Sequence, residues 1–280
     1  MIRVYLDTNI LDTYFRENPA AYSACKAAKK SGYVFSSGVE VAQEIMNNRD
    51  NLEEARRSFR RLIELTSPHL MSRERKALVH IELKKHGPLT DTEAYFSATT
   101  NRQTLEDLWK NFDSASMDDL CRAYSLETKQ QFKSARERHR PYIDLFSKDR
   151  SLTELSFSEF WSRFLGMDTF PDIVKAMAEK SFPPPDIAMC RNRIETMRAF
   201  KTALVINAAQ IYIQVHPDHR AKPHKNDSMD MGHSIVGSYS DIFVTNDAPF
   251  FKTLILARSE LPYKVMLPGD FLASAAGTSA

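Results

Sequence analysis

The stretch DIFVTNDAPFF, residues 241–251, decides the fold. It is a run of β-branched and aromatic residues that leads directly into Thr245-Asn246-Asp247. Val, Ile, Thr and Phe favour a pleated, half-buried surface, so the run reads as a strand with an acid at its carboxyl end. Asn and Asp also suit tight turns, and on this strand alone a turn explains the acid. The chain opens in the same way, however, with MIRVYLDTNILD (1–12), where a short apolar strand over 2–6 ends in Asp7-Thr8-Asn9. Two strands that each deliver a carboxylate at their exit need one explanation.

Between these ends the periodicity predicts helical material over about 9–30, a stop at Gly32, a strand over 33–36 and then a helix, with Ser36 or Ser37 as its N-cap. Alternating strand and helix at these lengths implies βαβ units and a parallel sheet. The middle of the chain differs. NLEEARRSFRRLIELTS (51–67) and SLETKQQFKSARERHRPYIDLF (125–146) read as charged helices, SFPPPD (181–186) as a helix stop, and RNRIETMRAFKTALVINAAQIYIQ (191–214) as one long helix packed on the sheet. The expected fold class is therefore α/β, a parallel-sheet domain formed by residues 1–50 and 201–280 and interrupted by a mostly α-helical insertion over 51–200.

Composition bounds the function. The 38 Lys and Arg residues nearly balance the 36 Asp and Glu, for a formal net charge of +2, so a polyanionic partner must be met by a local basic surface. Cys25, Cys121 and Cys190 have no metal-ligand spacing and point away from thiol chemistry. No apolar run approaches the roughly 20 residues of a membrane span, and no basic-then-apolar leader opens the sequence, so a cytoplasmic location without membrane attachment is the expectation.

In an open parallel sheet, ligands collect at the carboxyl ends of the strands. Asp7 and Asp247 belong there, Glu44 lies in the helix after the second strand, and Asp230 lies in a helical segment leading into 241–247. Clustered carboxylates repel one another unless protons or cations neutralise them, and oxygen-only ligands favour Mg²⁺ or Mn²⁺. Other readings stay open. Asp7 would also cap a helix. Glu40 lies on nearly the same helix face as Glu44. Asp227 and Asp241 compete with Asp230, although Asp241 would sit at the opposite edge of the sheet. His233 suits a proton shuttle or a packed side chain. The stretch VHPDHRAKPHKND (215–227), with Lys222, His224 and Lys225, reads as a solvated loop or as a basic lip for a phosphate backbone. The runs RRSFRRL, SRERK and KSARERHR are exposed helix faces or a cover over substrate.

In order, VYLDTNILD, SSGVEVAQEI, NDSMDMGHS and DIFVTNDAPFF resemble the four acidic motifs of the PIN-domain nucleases, the fold of VapC-type toxins and several RNA-processing endonucleases. VMLPGDFLAS (265–274) resembles that family's last strand and the Phe that follows it. The resemblance covers roughly 1–50 and 200–275. It implies that Asp7, Glu44, Asp230 and Asp247 bind Mg²⁺ or Mn²⁺, that Asn9, Thr245 and Asn246 support the geometry, and that the reaction is phosphodiester hydrolysis, on RNA in preference to DNA. Compact members are about half this length, so the helical middle leaves the substrate open. A structure-specific DNA nuclease, a nucleic-acid-binding module with weak catalysis, a homo-oligomer and a complex with an antitoxin-like protein remain as alternatives.

Overall fold

The computed structural model describes residues 1–47, 52–97, 154–178, 184–216 and 227–277, with scattered positions between 100 and 147. Among the described residues, five strands form one sheet in the order β3-β2-β1-β4-β5, with β1 at Ile2–Leu6, β2 at Tyr33–Gly38, β3 at Thr66–Ser72, β4 at Ile242–Val244 and β5 at Lys264–Met266. Every neighbouring pair is parallel, so all the strand exits share one edge. The two ends of the chain meet at the centre, where Val4 pairs with both Phe35 and Ile242. The order reverses there too: the chain runs outward through β2 and β3 and later returns to the other side of β1. The sheet is α/β and parallel, as expected.

Among the described residues, the helices of eight residues or more are α1 (Pro19–Lys30), α2 (Val39–Asn47), α3 (Leu52–Leu65), α4 (Arg75–Lys85), α5 (Phe157–Gly166), α6 (Phe170–Ala178), α7 (Arg198–Val215), α8 (Asp227–Val236), α9 (Ala248–Leu256) and α10 (Pro268–Gly277). They cover both faces of the sheet. Successive strand residues point to opposite faces. On one face Tyr33 and Phe35 meet Phe271 of α10 edge-on at 5.7 and 6.1 Å, and α1 packs on β2. On the other, Tyr5 stacks on Phe243 at 5.2 Å beneath the end of α8. Gly237 permits that approach, because a Cβ there would stand 2.6 Å from Phe243 Cδ2.

Several elements differ from the sequence expectation. Strand β3 comes from the stretch read as insertion. Its polar ends and Pro68 argue against a central strand, but it is an edge strand, where a residue without an N–H is tolerated. Ser36 and Ser37 do not cap a helix, because β2 runs on to Gly38: Ser36 pairs with Tyr5 and Gly38 with Ser72. The helical stretch over 9–30 is broken into a π-helical turn at Ile10–Tyr14, a short helix at Phe15–Glu17 and α1, which starts at Pro19, a residue pre-set for a first helical position.

The expected long helix over 191–214 is also interrupted. Ile187–Asn192, a 3₁₀ turn at Ile194–Thr196 and α7 replace it, and α7 packs chiefly on α8, α4, α5 and α9 instead of on a strand. Its burial is nearly all-round, from Ala199 to Val215, as expected of a helix inside a helical layer. A second apolar core surrounds it, where Phe157 and Phe160 of α5 meet Tyr212 at 5.6 and 5.3 Å. Helix α7 has no side-chain cap of its own. Glu82 of α4 supplies one from outside, accepting from the Ala199 and Phe200 backbone N–H groups at 3.1 and 2.7 Å and from the Tyr239 hydroxyl. No described helix is long and apolar enough to cross a membrane.

Candidate functional site

Asp7 is the first residue past β1, and its backbone is tied to β4 by Asp7 N–H donating to Val244 O at 3.0 Å. Its carboxylate is buried and heavily bonded. Oδ1 accepts from Thr8 N–H at 2.7 Å, while Oδ2 accepts from the Thr245 hydroxyl and Asn9 Nδ2, both at 2.8 Å. Asn9 Oδ1 in turn accepts from Asn246 N–H at 3.0 Å, and Thr245 Oγ1 accepts from Asp247 N–H at 3.1 Å. The Asp-Thr-Asn and Thr-Asn-Asp repeats are thus two halves of one staple joining the exits of β1 and β4. Asn9, Thr245 and Asn246 form this staple.

Two further donors converge on Asp7. Glu44 projects from the second half of α2, and His233 from α8. His233 Nε2 lies 2.8 Å from Glu44 Oε2 and 3.9 Å from Asp7 Oδ1, and one ligand atom from each of Asp7, Glu44 and His233 fits within 4.8 Å of the others. The His233 and Asp7 side chains are almost fully buried, while Glu44 keeps 35% of its side-chain surface, so the group opens to solvent on the Glu44 side. Tyr5 Oη, 2.9 Å from His233 Nδ1, fixes the ring from the sheet.

Charge in this group is balanced internally. Burial alone would lower the basicity of His233, but Glu44 and Asp7 outweigh it and push the imidazole up to about 9. Burial raises the Asp7 carboxyl, with the nearby Glu44 adding to that and His233 opposing. Burial acts on Glu44 in the same upward sense, yet its contact with His233 wins and holds it below the usual range. An imidazolium between two carboxylates occupies the electrostatic place of a cation.

The donor set also fits a cation. Two carboxylates and an imidazole are common ligands of divalent ions, and Asp7, Glu44 and His233 would hold one. A metal-bound histidine commonly has its second ring nitrogen held by a neighbour, as Tyr5 does here.

The other expected acids lie elsewhere. Asp247 is half-buried and caps α9, its Oδ1 accepting from Phe250 N–H at 2.8 Å, so the helix terminus claims its carboxylate. Asp230, one turn before His233, is half-buried and outside the three-residue group. Asp227 opens α8, with its side chain outside the described residues. Asp241 sits at the opposite edge of the sheet, as expected, accepting from Arg3 N–H at 2.8 Å.

Glu40 is buried below Glu44, with Oε1 accepting from Arg75 N–H at 2.9 Å and Oε2 without a hydrogen-bond partner. Burial raises its carboxyl. The expected basic lip, with Lys222, His224 and Lys225, lies outside the described residues. Tyr5 was not singled out in the sequence, where it reads as one more apolar strand residue. Its signal was chemical: a tyrosine in a strand buried on both faces needs a partner for its hydroxyl. Compared with family models, curated proteins and solved structures, the chain finds no match.

Proposed function

We propose that this protein is a metal-dependent phosphodiesterase, an endonuclease acting on RNA in preference to DNA, with its cation held by Asp7, Glu44 and His233. The observation that carries this reading is the convergence of those three donors at the carboxyl edge of a parallel sheet, beside β1, where strand order reverses. That is where ligands bind in open α/β sheets. The preference for RNA rests on the resemblance to PIN-domain nucleases. The two carboxylates suit Mg²⁺ or Mn²⁺, and the imidazole shifts the set toward Mn²⁺ and away from a purely oxygen-bound Mg²⁺ site.

When bound, a divalent ion polarises a phosphoryl oxygen and lowers the pKa of water. The chain's own residues do the rest. The staple through Thr245 and Asn9 fixes Asp7 Oδ2 and the Thr8 N–H fixes Oδ1, so the carboxylate presents one orientation at the edge. Tyr5 holds His233 Nδ1, leaving Nε2 to face Glu44 and Asp7. Asp7, Glu44 and His233 would hold such an ion, His233 through an Nε2 that has lost its proton. In this reading Asp230, one turn before His233, and Asp247, at the exit of β4, would act on a second ion or on bound water.

The test is cleavage of labelled single-stranded RNA, a tRNA pool, single-stranded DNA and a flap duplex in Mn²⁺, Mg²⁺ or EDTA, with wild type beside Asp7→Asn. Metal-dependent cutting of RNA that disappears in EDTA and in the variant supports the reading. Preferential cutting of flap DNA replaces the substrate class and keeps the chemistry. Equal cutting by wild type and Asp7→Asn contradicts the assignment.

A further inference from the structure

We propose that the Thr8 hydroxyl is the positioning donor for Glu44, orienting that carboxylate when it holds a divalent cation together with Asp7 and His233; the inference rests on the metal site of the proposed function and deepens it. Thr8 stands between two members of the staple that joins the exits of β1 and β4. Its backbone is used there, since its N–H donates to Asp7 Oδ1 at 2.7 Å. Its side chain is not. The residue is only 8% exposed, and its Oγ1 is buried with no hydrogen-bond partner of regular geometry among the described residues.

A buried hydroxyl left without a partner is costly, so its place asks for a reason. The charged group within its reach is Glu44. Burial pushes the Glu44 carboxyl up, while His233 and, after it, the Thr8 hydroxyl hold it down. The hydroxyl therefore stands close to the carboxylate without closing a well-formed bond to it. His233 engages that carboxylate instead, with Nε2 2.8 Å from Oε2.

The three donors of the group are supported unequally. Asp7 accepts from Thr8 N–H, the Thr245 hydroxyl and Asn9 Nδ2, and His233 is held through Nδ1 by Tyr5. Among the described residues, Glu44 has a regular hydrogen bond from His233 alone. That support is conditional. A nitrogen that ligates a cation carries no proton, so Nε2 cannot donate to Glu44 and bind an ion at once. Ligating carboxylates are in general fixed by a hydrogen bond from an outer neighbour. The Thr8 hydroxyl, whose hydrogen rotates to suit its surroundings, supplies that bond to Glu44.

The test is calorimetric titration of Mn²⁺ into wild type, Thr8→Val and Thr8→Ser, with urea unfolding of each protein in EDTA. Thr8→Val keeps the shape and removes the hydroxyl; Thr8→Ser keeps the hydroxyl. The expected result is a Kd for Mn²⁺ raised roughly 10- to 100-fold in Thr8→Val, the usual cost of losing an outer partner of a metal ligand. Thr8→Ser should bind close to wild type. In EDTA the urea midpoint of Thr8→Val should not fall below that of wild type, because the hydroxyl it removes has no well-formed bond in the ion-free chain.

A folded Thr8→Val with the wild-type Kd overturns the proposal, as does a Thr8→Ser that binds as weakly as Thr8→Val. A urea midpoint in EDTA clearly lowered in Thr8→Val makes the hydroxyl a structural group and overturns it too. Where Thr8→Val does not unfold cooperatively, Thr8→Ala is read by the same criteria. A wild type that binds no Mn²⁺ overturns this inference together with the metal site. Binding of Mn²⁺ that depends on Thr8 without cleavage of any nucleic acid overturns the nuclease reading alone. Metal-dependent cleavage with Mn²⁺ binding indifferent to Thr8 overturns this inference alone.

Discussion

Asp7 is held in a form that costs the apo protein stability. Its carboxyl is raised chiefly by burial, so ionised Asp7 is tolerated because His233 and the donors of Thr8, Thr245 and Asn9 surround it. Asp7→Asn removes the buried charge and mismatches one hydrogen bond. Those effects oppose each other, and the variant is expected to unfold in EDTA within about 1 kcal/mol of wild type, as a urea titration would measure. A loss of several kcal/mol would show that the carboxylate is a structural anchor first. At this scale the sequence was legible where residue type implied chemistry. Asp7, Glu44, Asn9 and Thr245 stand out as an acid-and-support pattern. His233 did not, because a single histidine on a helix carries no sign of what faces it. The role of Asp247 as the cap of α9 was not legible, because the sequence does not show that the helix begins there.

The elements are joined at a few polar points, and two of them can be tested. Thr245 Oγ1 donates to Asp7 and accepts from Asn9 Nδ2 and Asp247 N–H, bridging the exits of β1 and β4. Thr245→Val keeps the volume but leaves those groups unpaired. It is expected to cost about 1–3 kcal/mol in a urea titration and to weaken Mn²⁺ binding in calorimetry; a variant unchanged in both would remove the staple from the account.

Glu82 joins α4 to α7 and Tyr239, and burial raises its carboxyl from 4.5 to about 7 against the pull of those hydrogen bonds. The unfolded chain therefore ionises first as pH rises. The stability linked to Glu82 is fully present below about pH 4.5 and is lost as pH climbs to about 7, a change of about 3 kcal/mol. Glu82→Gln should flatten that part of the stability profile, and an identical slope in both proteins would contradict it. The fold was legible to a similar degree. Strands β1, β2, β4 and β5 announce themselves as apolar runs with acids or turns behind them. Strand β3 was hidden by Pro68 and its polar ends, and the breaks before α7 by uninterrupted helix-forming residues.

For the whole molecule, the central feature is that the two ends of the chain build one edge, with α8 laid across it and a second helical core behind. Neither the sheet nor α8 alone assembles Asp7, Glu44 and His233, so a cation bound there recognises only the folded chain. Metal binding and global stability are then linked, by about 2.7 kcal/mol when the free ion is a hundredfold above its Kd. The direct measurement is the urea unfolding of wild type and Asp7→Asn, each in EDTA and in saturating Mn²⁺. The account expects Mn²⁺ to stabilise the wild type by an amount that grows with its concentration and to leave Asp7→Asn where EDTA leaves it. No stabilisation of the wild type, or the same stabilisation of both proteins, would contradict a metal site built on Asp7.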